Sequence, residues 1–228
     1  MFRPLTTNVT TVLTPASSRD LTTLAVVIDD WDINDDAASS FLQRAITRCS
    51  RAAENFCNRV FALEQVQDDF RMARDGWPRV ARRMSAVLQL SRWPVVSIDT
   101  VTVDGLALAA TADYALDAKT GQITRLDSFG NAQDWTGIET IVVYSAGYWL
   151  PGMTGDASTG VESLPDDIED AVGRMVYTRY AERQRDPLLK SDYVEGVGRT
   201  EYLLPSSDGN LSPDVADILD NYRVPVIG

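Results

Sequence analysis

The stretch MSAVLQLSRWPVVSIDTVTVDG, residues 84–105, decides the fold class. It alternates apolar and polar positions and is rich in Val, Ile and Thr, which is how half-buried strands read. Pro94 cannot donate to a ladder, so it divides the run into a short strand ending near Leu90 and a longer one over Val95–Val103. Asp104-Gly105 is a turn dipeptide that stops the second strand. The chain therefore contains a sheet, and the fold turns on what surrounds it.

Downstream, DYALD and QITRLD flank AKTG (118–121), a predicted hairpin in which Gly121 supplies a positive φ. IETIVVYSAGYW (138–149) is the last predicted strand, and PGMTGDASTGVES (151–163) reads as a flexible loop. Upstream, Phe41, Ala45, Cys49, Ala52, Ala53, Phe56 and Val60 recur at helical steps. They place one apolar stripe on a helix over about 36–59. LTTLAVVI (21–28) is too short for periodicity to separate helix from strand.

Ile168, Ala171, Val172, Met175 and Val176 mark a second helix, over about 165–184, with Pro165 and acids at its start and Arg174, Arg179 and Arg183 in its later turns. Pro213 to about Tyr222 is a short helix with Ser212 at its cap position. The expected architecture is α+β, mainly an α-helical bundle with a small antiparallel sheet or hairpin region inserted at about 66–149. An extended N-terminal arm (1–20), a main domain (21–190) and an extended C-terminal tail (191–228) complete it.

At 228 residues, 44% hydrophobic and 24% charged, the composition is that of a globular protein. No apolar run approaches the ~20 residues of a membrane span. The start, MFRPLTTNVTTVLTP, lacks the apolar core of a signal peptide, so synthesis in the cytosol is the expectation. Net charge is −12 and uneven: residues 1–92 carry +1 and residues 93–228 carry −13. An acidic half does not wrap a nucleic-acid backbone, although it is compatible with a channel through which DNA slides without sticking.

There is no histidine, which removes the usual general base, the Ser-His and Cys-His pairs and the commonest metal ligand. Cys49 and Cys57 lie about 12 Å apart on one helix, too far for a disulfide. DDWDINDD (29–36) spaces Asp30, Asp32 and Asn34 like calcium-loop ligands, but Asp35 stands where the loop needs glycine and Phe41 where it needs glutamate. The stretch reads instead as a helix start, with Asn34 or Asp35 as its cap.

KTG (119–121) matches one box of the serine β-lactamases without the Ser-x-x-Lys that should accompany it. VYSAG (143–147) lacks the first glycine of a nucleophile elbow, and no phosphate loop or Cys-x-x-Cys occurs. Asp166, Asp167 and Asp170 have the chemistry to ligate Mg²⁺, yet a helix start accounts for them. No catalytic, cofactor-binding or metal residue is assigned, no cofactor is expected, and an enzyme is not the expected reading.

Two features point to binding. Arg44, Arg48, Arg51 and, past Asn55, Arg59 form a stripe beside the apolar one; it is either a grip for an acidic partner or phosphate backbone, or a solvated face. The tail scatters Tyr193, Val197, Tyr202, Leu203 and Leu204 among glycines and prolines, anchors that cannot build a core but can bury themselves against a partner.

Five phrases, in order, carry a family resemblance: NDDAASSFLQRAITRCSRAAENFCNRVF (34–61), LQLSRWPVVSIDTVTVDG (88–105), DYALDAKTGQI (113–123), IVVYSAGY (141–148) and LPDDIEDAVGRMVYTRYAERQRDP (164–187). Together they span roughly residues 20–190 and resemble the head–tail connector (adaptor) proteins of tailed bacteriophages and gene transfer agents. The stretch SFGNAQDW (128–135), the 151–163 loop and the tail after 190 depart from that pattern.

The resemblance implies a virion structural protein, made in the host bacterial cytoplasm and built into the particle's neck. It implies a ring of about a dozen copies, docked under the portal protein, with heterologous interfaces that close on themselves. Such a ring lines the DNA channel without sequence-specific binding, touches no membrane, and presents a face to the next neck or tail protein. The tail residues Tyr193, Val197, Arg199, Tyr202, Leu203, Leu204 and Tyr222 are then candidates for portal contact, and Arg44, Arg48, Arg51 and Arg59 for subunit or DNA contact. The alternative is a monomeric binding or regulatory module that captures a protein with its apolar tail.

Overall fold

The structure, a computed structural model, describes residues 6–72, 85–154, 160–183, 191–194, 198–201 and 211–225. Helix accounts for 30% and strand for 31%, so the chain is a mixed α+β protein and not a mainly helical bundle with a small sheet inserted. The difference arises from two strands that polar residues disguise. Thr6–Thr14 (β1) is almost all threonine and short apolars, and Glu64–Met72 (β2) points two acids, Glu64 and Asp68, to its buried side. Hydrophobic periodicity does not register either as half of a sheet.

The chain divides into two compact units, interleaved in sequence. The first takes residues 1–17, 62–149 and 154–162. Its further strands are Val87–Gln89 (β3), Val95–Val103 (β4), Leu106–Ala107 (β5), Tyr114–Asp117 (β6), Gln122–Arg125 (β7) and Glu139–Ala146 (β8). They form a five-stranded antiparallel sheet in the order β1-β2-β8-β4-β5 and a three-stranded one, β3-β7-β6. Inward positions of both sheets share one core, with Val66, Phe70, Leu88, Leu90, Val101, Ile123, Trp135, Val142 and Tyr144 buried. Burial alternates strictly along β8, as its sequence predicts. Gly121, in the β6–β7 turn, takes φ +68°, the left-handed conformation expected of it.

Gly147, just past β8, is the glycine this unit cannot replace. Its φ is +120°, its N–H donates to the Pro94 carbonyl at 2.8 Å, and an added Cβ would sit 2.3 Å from the Ala62 carbonyl oxygen. The Tyr-Ser-Ala-Gly-Tyr phrase therefore marks a close crossing of backbones and not a nucleophile turn.

Asp68, fully buried on β2, is the polar centre of the same unit. Its Oδ1 accepts from Thr10 Oγ1 on β1 (2.7 Å) and from Ser91 Oγ (2.8 Å). Its Oδ2 accepts from the Ser91 backbone N–H (2.7 Å) and the Tyr144 hydroxyl (2.8 Å). The Tyr144 oxygen in turn accepts from the Arg92 N–H at 3.1 Å. Burial, reinforced by the Asp68 charge, holds the Tyr144 phenol well above its ordinary pKa, so it stays a donor.

The second unit takes residues 18–61, 150–153 and 163–228. Its helices are Leu24–Asp30 (α1), Ser39–Cys57 (α2), Asp166–Ala181 (α3) and Pro213–Asp220 (α4), with a two-stranded ribbon of Ser191–Val194 (β9) and Gly198–Glu201 (β10). Residues 21–28 resolve in favour of helix because Thr23 caps α1, its hydroxyl accepting the Val26 N–H at 3.3 Å. A 3₁₀ turn, Asp36–Ala38, leads into α2, and Asn58 ends α2 in a left-handed conformation at φ +50°.

The buried face of α2 centres on Leu42, Ala45, Ile46, Cys49, Ala53 and Cys57, so it is rotated from the Phe41 and Phe56 stripe. It packs against Ile168, Ala171, Val172, Met175 and Val176 of α3 and Val215 and Leu219 of α4. The final helix is thus part of this core: Cys57 Sγ donates to the Leu219 carbonyl at 3.4 Å and the Val224 N–H to the Cys57 carbonyl at 2.9 Å. Trp31 stacks on Tyr177 with ring centres 4.5 Å apart.

Two predictions follow the buried and the half-exposed carboxylate. Asp68→Ala leaves four donors without their acceptor and costs about 3 kcal/mol of unfolding free energy by urea denaturation. A loss below about 1 kcal/mol would contradict the role given to Asp68. Asp35, ahead of the 3₁₀ turn, is held below the usual carboxylate pKa by the Arg183 hydrogen bond first, and by the Ala37 and Ala38 N–H groups. A depressed carboxylate stabilises the fold above its unfolded pKa of ~3.9, and that stability is lost as pH falls through the folded value. The thermal midpoints of the native chain and Arg183→Met should therefore differ at neutral pH and converge below about pH 4; a gap that persists in acid would contradict the pairing.

Candidate functional site

The sequence offers no catalytic set, and the geometry explains the residues that came nearest to one. Asp167 accepts the Tyr222 hydroxyl at 2.8 Å, and Asp170 pairs with Arg174 at 2.9 Å. In DDWDINDD, the Asn34 amide donates to Asp32, and Asp35 accepts from Arg183 at 2.7 Å. Among the described residues no group of three or more His, Cys, Asp or Glu is placed to hold a metal ion. Burial pushes the Cys49 and Cys57 thiols up to about 11, which leaves them protonated and unreactive near neutral pH.

The α2 arginines are the stronger candidate. Arg44, Arg48 and Arg51 are exposed along one side of the helix, and none forms an ion pair with another described residue. Arg59 leaves the stripe because α2 stops at Cys57; its guanidinium lies 5.0 Å from the centre of the Phe61 ring. Arg48 also lines a cleft of about 270 Å³ between α2 and α3, together with Phe41, Ala45, Arg179, Glu182 and Arg183. Three arginines thus converge on one cleft in an acidic protein. Arg179 and Arg183 are legible in the sequence only as favourable charges at a helix end; their meeting with Arg48 depends on tertiary packing.

The tail residues divide. Arg199 on β10 stands opposite Tyr193 on β9 in the register of the ribbon. Val197, Tyr202, Leu203 and Leu204 lie outside the described residues. Tyr222 is half-buried beyond α4, with its hydroxyl on Asp167 and its ring edge-on to Phe61 at 6.4 Å.

No protein-family model and no curated protein matches this sequence. Solved structures do match in fold. A chain in the neck of an empty gene transfer agent (GTA) particle, computed with C6 symmetry, aligns with a TM-score of 0.53 at 16% identity, over 96% of this chain and 98% of that one. A chain in the neck of the native particle, computed with C12 symmetry, aligns with a TM-score of 0.50 at 18% identity, again over 96% and 98%. Over 96% of its length, this chain has the fold of a chain in the gene-transfer-agent neck.

Proposed function

We propose that this chain is a structural head–tail connector (adaptor) of a phage-like neck. The observation that carries the reading is the end-to-end agreement in fold with a neck chain, 96% of one and 98% of the other. Fold alone does not fix function. The five sequence phrases and the convergence of arginines on an otherwise acidic chain support the same role.

In this role the chain assembles as a ring in the virion, of about a dozen copies, after synthesis in the host cytoplasm. The ring docks under the portal protein, passes DNA through its centre without reading it, and offers its far face to the next neck or tail protein. It performs no turnover and needs no cofactor. The arginine cleft takes acidic surface from the adjoining copy, because residues 93–228 carry a net −13. Arg44 and Arg51 extend the same positive strip, which Arg59 leaves. Contact with passing DNA is the other role open to these residues.

The ribbon and the segment after it, with Tyr193, Val197, Arg199, Tyr202, Leu203 and Leu204, reach the portal. Tyr222, the remaining tail candidate, ties the end of α4 to the start of α3 through Asp167. Because α4 belongs to the core of its unit, removing everything after residue 190 would damage the fold as well as the tail. Substituting Tyr193, Val197, Tyr202, Leu203 and Leu204 together with Ser is the cleaner test.

Pull-down against the portal protein of the same particle, with electron microscopy of the product, tests the reading. The native chain should yield a ring stacked on the portal, and the five-Ser variant should lose about tenfold or more in capture with an unchanged thermal midpoint. Capture equal to the native chain's would remove the tail from the account. Arg44→Glu/Arg48→Glu/Arg51→Glu should raise the concentration needed for ring assembly about tenfold; rings at the native concentration would refute the subunit contact.

A further inference from the structure

The five-stranded sheet ends in β1 on one side and in the short β5 on the other, and neither strand carries a charge. β1, residues 6–14, reads TTNVTTVLT and pairs only with β2; it has no charged residue and no proline. Every residue from Asn8 to Thr14 is exposed, including Val9 at 58% and Leu13 at 46%. At the other edge, β5 lies within GLALAATA (105–112), also free of charge and exposed except for the half-buried Leu108. Leu106 there is 74% exposed.

Natural sheets protect long edges with lysine, proline or a covering element, because unpaired N–H and C=O groups recruit other strands. β1 has no lysine or proline, and no described strand pairs with its outer edge. The chain carries −12, so two copies repel wherever their acidic surfaces face each other. Two uncharged strips at opposite edges of one sheet are where copies approach without that cost. They are also different from each other, as a head-to-tail contact that closes into a ring requires.

We propose that neighbouring copies of this chain join edge to edge, β1 of one copy pairing its backbone with the β5 edge of the next. The inference rests on the ring reading above and names a contact within that ring. Phe41, Arg48 and the rest of the arginine cleft are not part of it.

Paired cysteines and amide exchange test the contact together. Within one chain β1 and β5 are separated by four strand steps, about 19 Å, so cysteines on the two edges cannot bridge intramolecularly. Chains carrying Leu106→Cys with either Thr11→Cys or Val12→Cys, which lie on opposite faces of β1, should oxidise to a ladder of multimers. Each single-cysteine chain should remain uncrosslinked, and Cys49 and Cys57 stay silent because they are buried.

In rings of the native chain, alone or on the portal, amides of residues 6–14 should exchange about tenfold or more slowly than in the monomer. Rings whose β1 amides exchange at the monomer rate would overturn the edge contact and leave the ring reading standing. Dimers from Thr11→Cys alone would overturn it in favour of β1–β1 pairing. A chain that stays monomeric by light scattering, with and without the portal, would remove both readings.

Discussion

A carboxylate without water is tolerated only when its lone pairs are filled, and Asp68 meets that condition with four donors. They come from three separate parts of the chain: Thr10 on β1, Ser91 before β4, and Tyr144 on β8. Solvating the charge and closing the sheet are therefore one event. The same network helps to hold β1, whose residues are exposed from Asn8 to Thr14, against β2, which runs beside β8 in a single register. It also ties the turn leading out of β3 to the central strand through the Arg92 N–H on Tyr144.

Most of the element positions were legible because they rest on local rules. The helical spacing of α2, the α3 stripe, the left-handed Gly121, the alternation of β8 and the division at Pro94 all follow from periodicity or backbone sterics, although the buried face of α2 is rotated from its predicted stripe. The balance of helix and sheet was not legible. β1 and the β2 strand it pairs with lie 51 to 66 residues apart in sequence, a separation no local window contains. A buried acid such as Asp68 is indistinguishable, in sequence, from a solvated one.

The candidate site shows the same limit. The exposed arginines of α2 could be read from spacing, whereas their meeting with Arg179 and Arg183 needs α3 laid alongside, and the departure of Arg59 needs the helix to stop at Cys57. The tail reads as a loose thread by composition, yet α4 contributes Val215 and Leu219 to the core of its unit. Its apolar residues thus serve two ends, folding beyond Leu211 and, in our proposal, portal contact before it.

These features fit a protein whose chemistry is assembly. In the proposed ring, repulsion between copies of a chain with net charge −12 is relieved at the arginine cleft of the helical unit and at the uncharged edge strands of the sheet unit. The most direct measurement is electron microscopy of particles from a producing strain in which this gene is deleted. The account predicts heads and tails that accumulate separately, rejoined when the native gene is restored. Complete tailed particles without the protein would contradict it.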